Sequence, residues 1–184
     1  MLTGSIDTII RGCVKNDSTC QKQLYDIFAP RMFSVCTRYA RNRDDAKDIF
    51  QSGFLKVLEN ISQLRNVDSI EWWMQKIFVN EALLLYKREQ KIQYTNVDDV
   101  FSNKLVEHYT IINEMEVEYI TGLIQKLPDK MRLVFNMYII EGYSHQEIAS
   151  HLNISEGTSK SHLHDARKNL MKKINNLNPL LKAR

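Results

Sequence analysis

Glycine and proline are scarce, six and three in 184 residues, and alternating apolar–polar runs are almost absent. A β-rich chain needs turn residues and period-two alternation, so an all-helical chain is predicted instead. Cysteine is sparse as well. Cys13, Cys20 and Cys36 are odd in number and form no CxxC pair, which points to reduced, partly buried core residues rather than disulfides or metal ligands. Long apolar runs are missing: a stretch such as Ala82 to Tyr86 falls far short of the ~20 residues a spanning helix needs. The N-terminus has no charged-then-apolar leader pattern, so a cytoplasmic protein without membrane insertion is expected. Catalytic signatures are lacking too, with no glycine-rich phosphate loop and no nucleophile–base set. Helical spacing does not bring three of His145, His151, His162 and His164 onto one face with a carboxylate or thiol. Neither enzymatic activity nor a metal or other cofactor is expected.

What is present is an uneven charge distribution. The net charge is only +3. Residues 1–90 carry 13 Lys/Arg against 11 Asp/Glu, residues 91–120 carry 2 against 6, and residues 121–184 carry 10 against 5. The basic excess at the C-terminal end suits a polyanionic partner.

That end also holds the most informative stretch, Tyr143 to Ser161. Ser144 is placed to cap a helix, and Glu147 three residues later completes a capping box. Ile148, Ala149 and Leu152 fall on one face, and Leu152-Asn153-Ile154 breaks the pattern. Ser155 offers a second N-cap, after which Leu163, Ala166, Leu170 and Ile174 recur at three and four residues. Two helices joined by so short a turn predict a DNA-reading helix-turn-helix.

The N-terminal half predicts three well-patterned helices and a weaker one near Ile6 to Val14. Their apolar stripes are Leu24, Ile27, Phe28, Met32, Val35, Cys36 and Tyr39; Ala46, Ile49, Phe50, Gly53, Phe54, Val57, Leu58 and Ile61; and Ile70, Trp73, Met74, Ile77 and Phe78 onward to Leu85. Asp68 with Glu71 can start the third. Periodicity stops near Lys91, although Val106 to Asn113 can be partly helical. Order resumes near Met115, with Pro128 near a helix start and Gly142 near a helix end. The predicted organisation is two small helical domains, 1–90 and 116–184, joined by a flexible acidic linker, 91–115.

Three segments resemble the extracytoplasmic-function (ECF) sigma factors of the sigma-70 family. Asp44-Asp45-Ala46-Lys47-Asp48-Ile49-Phe50-Gln51-Ser52-Gly53-Phe54-Leu55 looks like the family's D-A-x-D-x-x-Q-x-x-F-L helix. Trp73-Met74-Gln75-Lys76-Ile77-Phe78-Val79-Asn80 looks like its W-x-x-x-I-x-x-N segment. Leu127-Pro128, Arg132, Val134-Phe135, Glu141-Gly142-Tyr143-Ser144, Glu147-Ile148-Ala149 and Gly157-Thr158-Ser159-Lys160-Ser161 to Ala166-Arg167 look like its C-terminal domain. The resemblance implies a sigma factor that binds core RNA polymerase, recognises the −10 and −35 elements of promoter DNA and is held by an anti-sigma factor. It implies polymerase contact at Asp45, Asp48, Gln51 and Phe54. The −10 strand falls to the third helix and the Gln63–Ser69 loop before it, with Asn80 at a base edge and Lys76, Lys87 and Arg88 on phosphates. Adjacent on a helix, Trp72 and Trp73 point ~100° apart; Trp73 fits the apolar stripe, leaving Trp72 to stack on bases. For the −35 duplex the readers are Thr158, Lys160, Ser161, His164, Asp165 and Lys168, opposite the Leu163/Ala166/Leu170 stripe.

Departures from the family pattern mark where this chain differs. Ser52 stands where Glu is common, Leu84 where Asp is common, and Lys87 replaces one of two arginines. Ser159 replaces Val, removing an apolar anchor, and His162 and Asp165 replace arginines. Asp165 repels phosphate but can accept from cytosine N4. The main rival is a stand-alone helix-turn-helix regulator, which leaves the N-terminal motifs unexplained; an enzyme or a sigma-like decoy are further rivals.

Overall fold

The computed structural model describes residues 2–95 and 112–177, with side chains for 6–90 and 119–174. Every regular element among them is helical. The chain divides into two compact units, Met1–Asp99 and Val100–Arg184.

The first unit contains α1 (Leu2–Val14), α2 (Ser18–Tyr39), α3 (Arg43–Asn60) and α4 (Ile70–Thr95). Short polar side chains set the starts. Asp17 Oδ1 accepts from the Thr19 and Cys20 amides at 2.8 and 3.0 Å. Asn42 Oδ1 accepts from Asp44 and Asp45 at 2.9 and 2.8 Å, leaving both aspartates in the favourable first turn of α3. The Asp68–Glu71 start expected for α4 is displaced: Asn66 caps a 3₁₀ turn, Val67–Ser69, and α4 follows at Ile70.

Helix also reaches into the segment read as linker, since α4 runs to Thr95. Lys87 to Gln93 is rich in Lys, Arg, Glu and Gln, good helix formers that need no core to support them, and contains no Gly or Pro. The next helix begins at Ile112, so most of the expected Val106–Asn113 helix lies outside the described residues.

The core of the first unit takes Leu24, Phe28, Met32 and Cys36 from α2, Ala46, Ile49 and Val57 from α3, and Met74, Phe78 and Val79 from α4. Ile27, expected in the α2 stripe, is 45% exposed because one residue of helix turns it ~100° from Phe28. At the α3–α4 crossing, Gly53 lets α4 approach: a Cβ there would overlap the ring of the fully buried Phe78. α1 buries Ile9, Ile10 and Cys13 and packs on α2 and on both 3₁₀ turns, Ile61–Gln63 and Val67–Ser69. Burial pushes the Cys13 thiol up to about 11 and the Cys36 thiol up to about 12, which keeps both unreactive at neutral pH.

In the second unit α5 (Ile112–Gln125), α6 (Asp129–Phe135) and a π turn (Asn136–Ile140) lead into α7 (His145–Leu152) and α8 (Glu156–Leu177). Leu123, Ile124 and Leu127 pack on Ala166 and Leu170 of α8, with Met131 and Phe135 against them. Ile174, expected to extend the α8 stripe, is 43% exposed. The buried Arg132 guanidinium donates to the Gln125 and Leu127 carbonyls at 3.2 and 3.3 Å and pairs with Asp129 at 2.8 Å. It thereby satisfies carbonyls that the end of α5 leaves open. Gly142 has a φ of +77°, a left-handed conformation that turns the chain toward α7.

Gly53→Ala tests the α3–α4 crossing. Alanine's helix propensity favours the variant by ~1 kcal/mol, but overpacking costs about 1–3 kcal/mol. A net loss is expected, read as a lower urea midpoint for the first unit. An unchanged or higher midpoint would show that Phe78 yields freely.

Candidate functional site

On the first unit, α4 buries one face and leaves another open. Trp72, Lys76, Asn80, Leu84 and Arg88 recur every fourth residue, with Lys87 beside them, and all are exposed. Four-residue spacing turns each ~40° from the last, so Trp72, Lys76 and Asn80 lie within ~80° of one another and Arg88 has wound ~160° from Trp72. Trp72 is 57% exposed, whereas Trp73 is half-buried. The Lys76 ammonium sits 3.8 Å from the Trp72 ring centroid, a cation–π contact that holds the indole along the helix surface. Trp72, Lys76, Asn80 and Lys87 therefore share one exposed arc of α4, aromatic, amide-bearing and basic, whereas Arg88 stands ~160° around the helix from Trp72.

The α3 candidates lie on another surface. Asp48 and Gln51 are exposed, and Asp45 and Phe54 are half-buried. Phe54 joins an aromatic cluster, 5.1 Å from Tyr25 and 6.1 Å from Phe50, and Phe50 in turn stacks 5.6 Å from Phe78. Beside them a groove of about 660 Å³ opens between α2 and α3, lined by Tyr25, Ala29, Pro30, Phe33, Lys47, Phe50, Gln51, Phe54 and Leu55. The α2 wall was missed in the sequence reading, although Tyr25, Ala29 and Phe33 form a second apolar row at four-residue spacing. Leu55 is 62% exposed.

On the second unit the helix-turn-helix forms as its capping residues require. The Ser144 amide donates to Glu147 Oε2 at 2.8 Å, and Ser144 Oγ accepts from the Glu147 amide at 3.2 Å. Asn153 closes α7 in the left-handed region, φ +53°. Ser155 Oγ accepts from the Thr158 amide at 3.0 Å and lies 2.8 Å from the Thr158 hydroxyl. Thr158 is thus half-buried with its hydroxyl turned to the cap. Ser161, His164 and Lys168 are exposed on the side of α8 opposite buried Leu163, Ala166 and Leu170. Lys160 is exposed too, paired with Glu156 at 2.7 Å. Asp165 is half-buried on the flank.

Ser159 departs from expectation. Its lost apolar anchor is replaced by a polar one: Ser159 is fully buried, its Oγ 2.9 Å from His145 Nδ1. The His145 ring stacks on Tyr138 at 4.3 Å. The sequence carried a faint signal, a small hydroxyl where the apolar period asks for a hydrophobe. Lys173, further along α8, donates to the Lys126 carbonyl at 3.1 Å.

These surfaces define a helix-turn-helix protein with a second, aromatic and basic face on a separate unit. The sigma-70 region 2 family matches residues 24–92, and the sigma-70 region 4 family matches residues 118–170. The chain is 25% identical to the ECF RNA polymerase sigma factor SigW of Bacillus subtilis, covering 91% of this chain and 96% of that protein. It is 26% identical to the RNA polymerase sigma factor SigV of the same organism, covering 74% and 80%. The sigma factor RpoE of Bartonella quintana, solved in complex with the anti-sigma factor NepR, shares the fold with a TM-score of 0.58 at 19% identity, covering 84% of this chain and 96% of that one. The chain belongs to the ECF branch of the sigma-70 family of RNA polymerase sigma factors. A stand-alone helix-turn-helix regulator does not account for the region 2 match. Among the described residues no helix is long and apolar enough to cross a membrane.

One titration follows from the recognition helix. Burial, with Lys130 nearby, holds the His162 imidazole below its ordinary value, against the opposing pull of Asp165. The folded state then binds this proton less readily than the unfolded chain, so stability is full above ~pH 6.5 and falls as pH drops below it. His162→Gln removes the penalty. Its urea midpoint is expected to change less than the parent's between roughly pH 7.5 and pH 5; identical pH profiles would contradict this assignment.

Proposed function

We propose that residues 1–90 dock on core RNA polymerase and hold the −10 strand, that residues 116–184 read the −35 duplex, and that residues 91–115 tether the two. The observation that carries this reading is the presence in one chain of an exposed α4 strip and an exposed recognition helix. Aromatic and basic groups along one helix suit a single strand: Trp72 offers a stacking face, Asn80 a donor–acceptor amide, and Lys76, Lys87 and Arg88 charges for phosphates. Ser161, His164 and Lys168 on α8, flanked by Lys160 and Asp165, suit the major groove, with Thr158 and the start of α8 beside a phosphate.

Asp45, Asp48, Gln51 and Phe54 form the polymerase-docking edge. The apolar groove beside Gln51 and Phe54 suits the hydrophobic side of a partner helix, and the acids beside it suit basic residues. The same surface is suited to occlusion by an anti-sigma factor, a class of partner that the solved Bartonella quintana relative binds. The chain works in the cytoplasm and supplies no catalytic group; polymerisation remains the polymerase's chemistry.

Run-off transcription from genomic fragments with core polymerase is the direct test. Discrete start sites absent with core enzyme alone are expected, and transcripts no different from the core background would overturn the reading. Trp72→Ala is expected to reduce open-complex formation about 5- to 150-fold if one base stacks there, at ~1–3 kcal/mol per stacked base. On a −35 promoter library, Asp165→Arg is expected to alter sequence preference or raise affinity, and an unchanged profile would remove Asp165 from the groove.

A further inference from the structure

The contact between Ser159 and His145 has a consequence for how α8 is presented. Ser159 sits in the first turn of the recognition helix with its side chain wholly buried, and its Oγ lies 2.9 Å from His145 Nδ1. His145 is the first residue of α7. Its ring stacks on Tyr138 with centroids 4.3 Å apart and planes 20° apart. Tyr138 belongs to the π turn that follows α6. Three consecutive elements therefore meet through one imidazole.

Apolar contacts between helices tolerate small rotations and slides, because dispersion has little directionality. A hydrogen bond to a buried hydroxyl restricts both distance and angle. The alternative to forming it is an unsatisfied buried group, so the bond holds the helices in one arrangement. Ser159 lies two residues before Ser161 and five before His164. Any displacement of the first turn of α8 is therefore transmitted to the proposed base-facing side chains.

We propose that His145 is a positioning residue for −35 recognition: acting through Ser159, and braced by Tyr138, it sets the angle at which α8 enters the major groove. This rests on the reading of α8 as the −35 reader. His145 touches no base in this role. Its contribution is expected only at promoters where α8 engages DNA.

The test uses the full chain bound to core polymerase, on one promoter with an intact −35 element and one with that element scrambled. His145→Ala and Ser159→Ala are each expected to lower transcription from the intact promoter about fivefold while leaving the scrambled promoter unchanged. The double variant is expected to be no worse than the weaker single, as for two residues acting through one contact. His145→Asn, whose amide can occupy the place of Nδ1, is expected to recover activity to within about twofold of the parent. Equal losses on both promoters would indicate a folding defect and overturn the proposal. So would −35 dependence in the single variants as large as the parent's, losses that multiply in the double variant, or no recovery with asparagine. A parent chain indifferent to the −35 element would instead overturn the reading of α8 itself, and the positioning role with it.

Discussion

In the first unit the contact between Gly53 and Phe78 sets how closely α3 and α4 can lie, and the two proposed binding surfaces depend on it. With no side chain at 53, the Phe78 ring fills the crossing and meets Phe50 on its own side. Phe50 then reaches Tyr25 and Phe33 of α2, so one ring links the deep core to the groove at the surface. The same packing turns the opposite face of α4 to solvent, where Trp72, Lys76 and Asn80 stand in a row. A bulkier residue at 53 would disturb the aromatic groove and the orientation of the exposed strip together.

The second unit solves a related problem with polar groups. A helix-turn-helix has little apolar surface around its turn, and its helix ends expose unsatisfied amides and carbonyls. The Ser144–Glu147 capping box and the Ser155 cap satisfy the starts of α7 and α8. Arg132 and Lys173 satisfy carbonyls where α5 ends. Ser159 and His145 then do with one hydrogen bond what a branched apolar side chain would do by volume. Fixing α8 this way leaves its outer face free of structural duty.

Much of this was legible in the sequence, for reasons that differ by element. The α7–α8 turn was readable because capping chemistry is local: Ser144, Glu147 and Ser155 act within one helical turn. The separation of Trp72 from Trp73 followed from helical geometry alone. Groups satisfied from a distance were not readable. The role of Arg132 depends on carbonyls at 125 and 127 that its own helix does not contain, and the partner of Ser159 lies 14 residues away across a turn. The start of α4 was misplaced because Asp68 and Asn66 are both competent caps, and only the packed 3₁₀ turn selects Asn66. The end of α4 was set too early because loss of apolar period signals loss of a core, not loss of helix. The candidate site residues came from the family resemblance rather than from local chemistry; the α2 wall of the groove was overlooked because α2 was read only for its buried stripe, to which Tyr25, Ala29 and Phe33 do not belong.

On the proposed reading one chain carries both a duplex reader and a single-strand holder and uses them together on polymerase. Permanganate reactivity of promoter thymines distinguishes this, since permanganate oxidises thymines where the duplex has opened. With core polymerase and this chain on a promoter carrying both elements, thymines about ten base pairs upstream of the start are expected to become reactive, and neither protein alone should produce the signal. A stable complex on that DNA whose thymines remain unreactive would contradict the account, leaving α4 without a strand to hold.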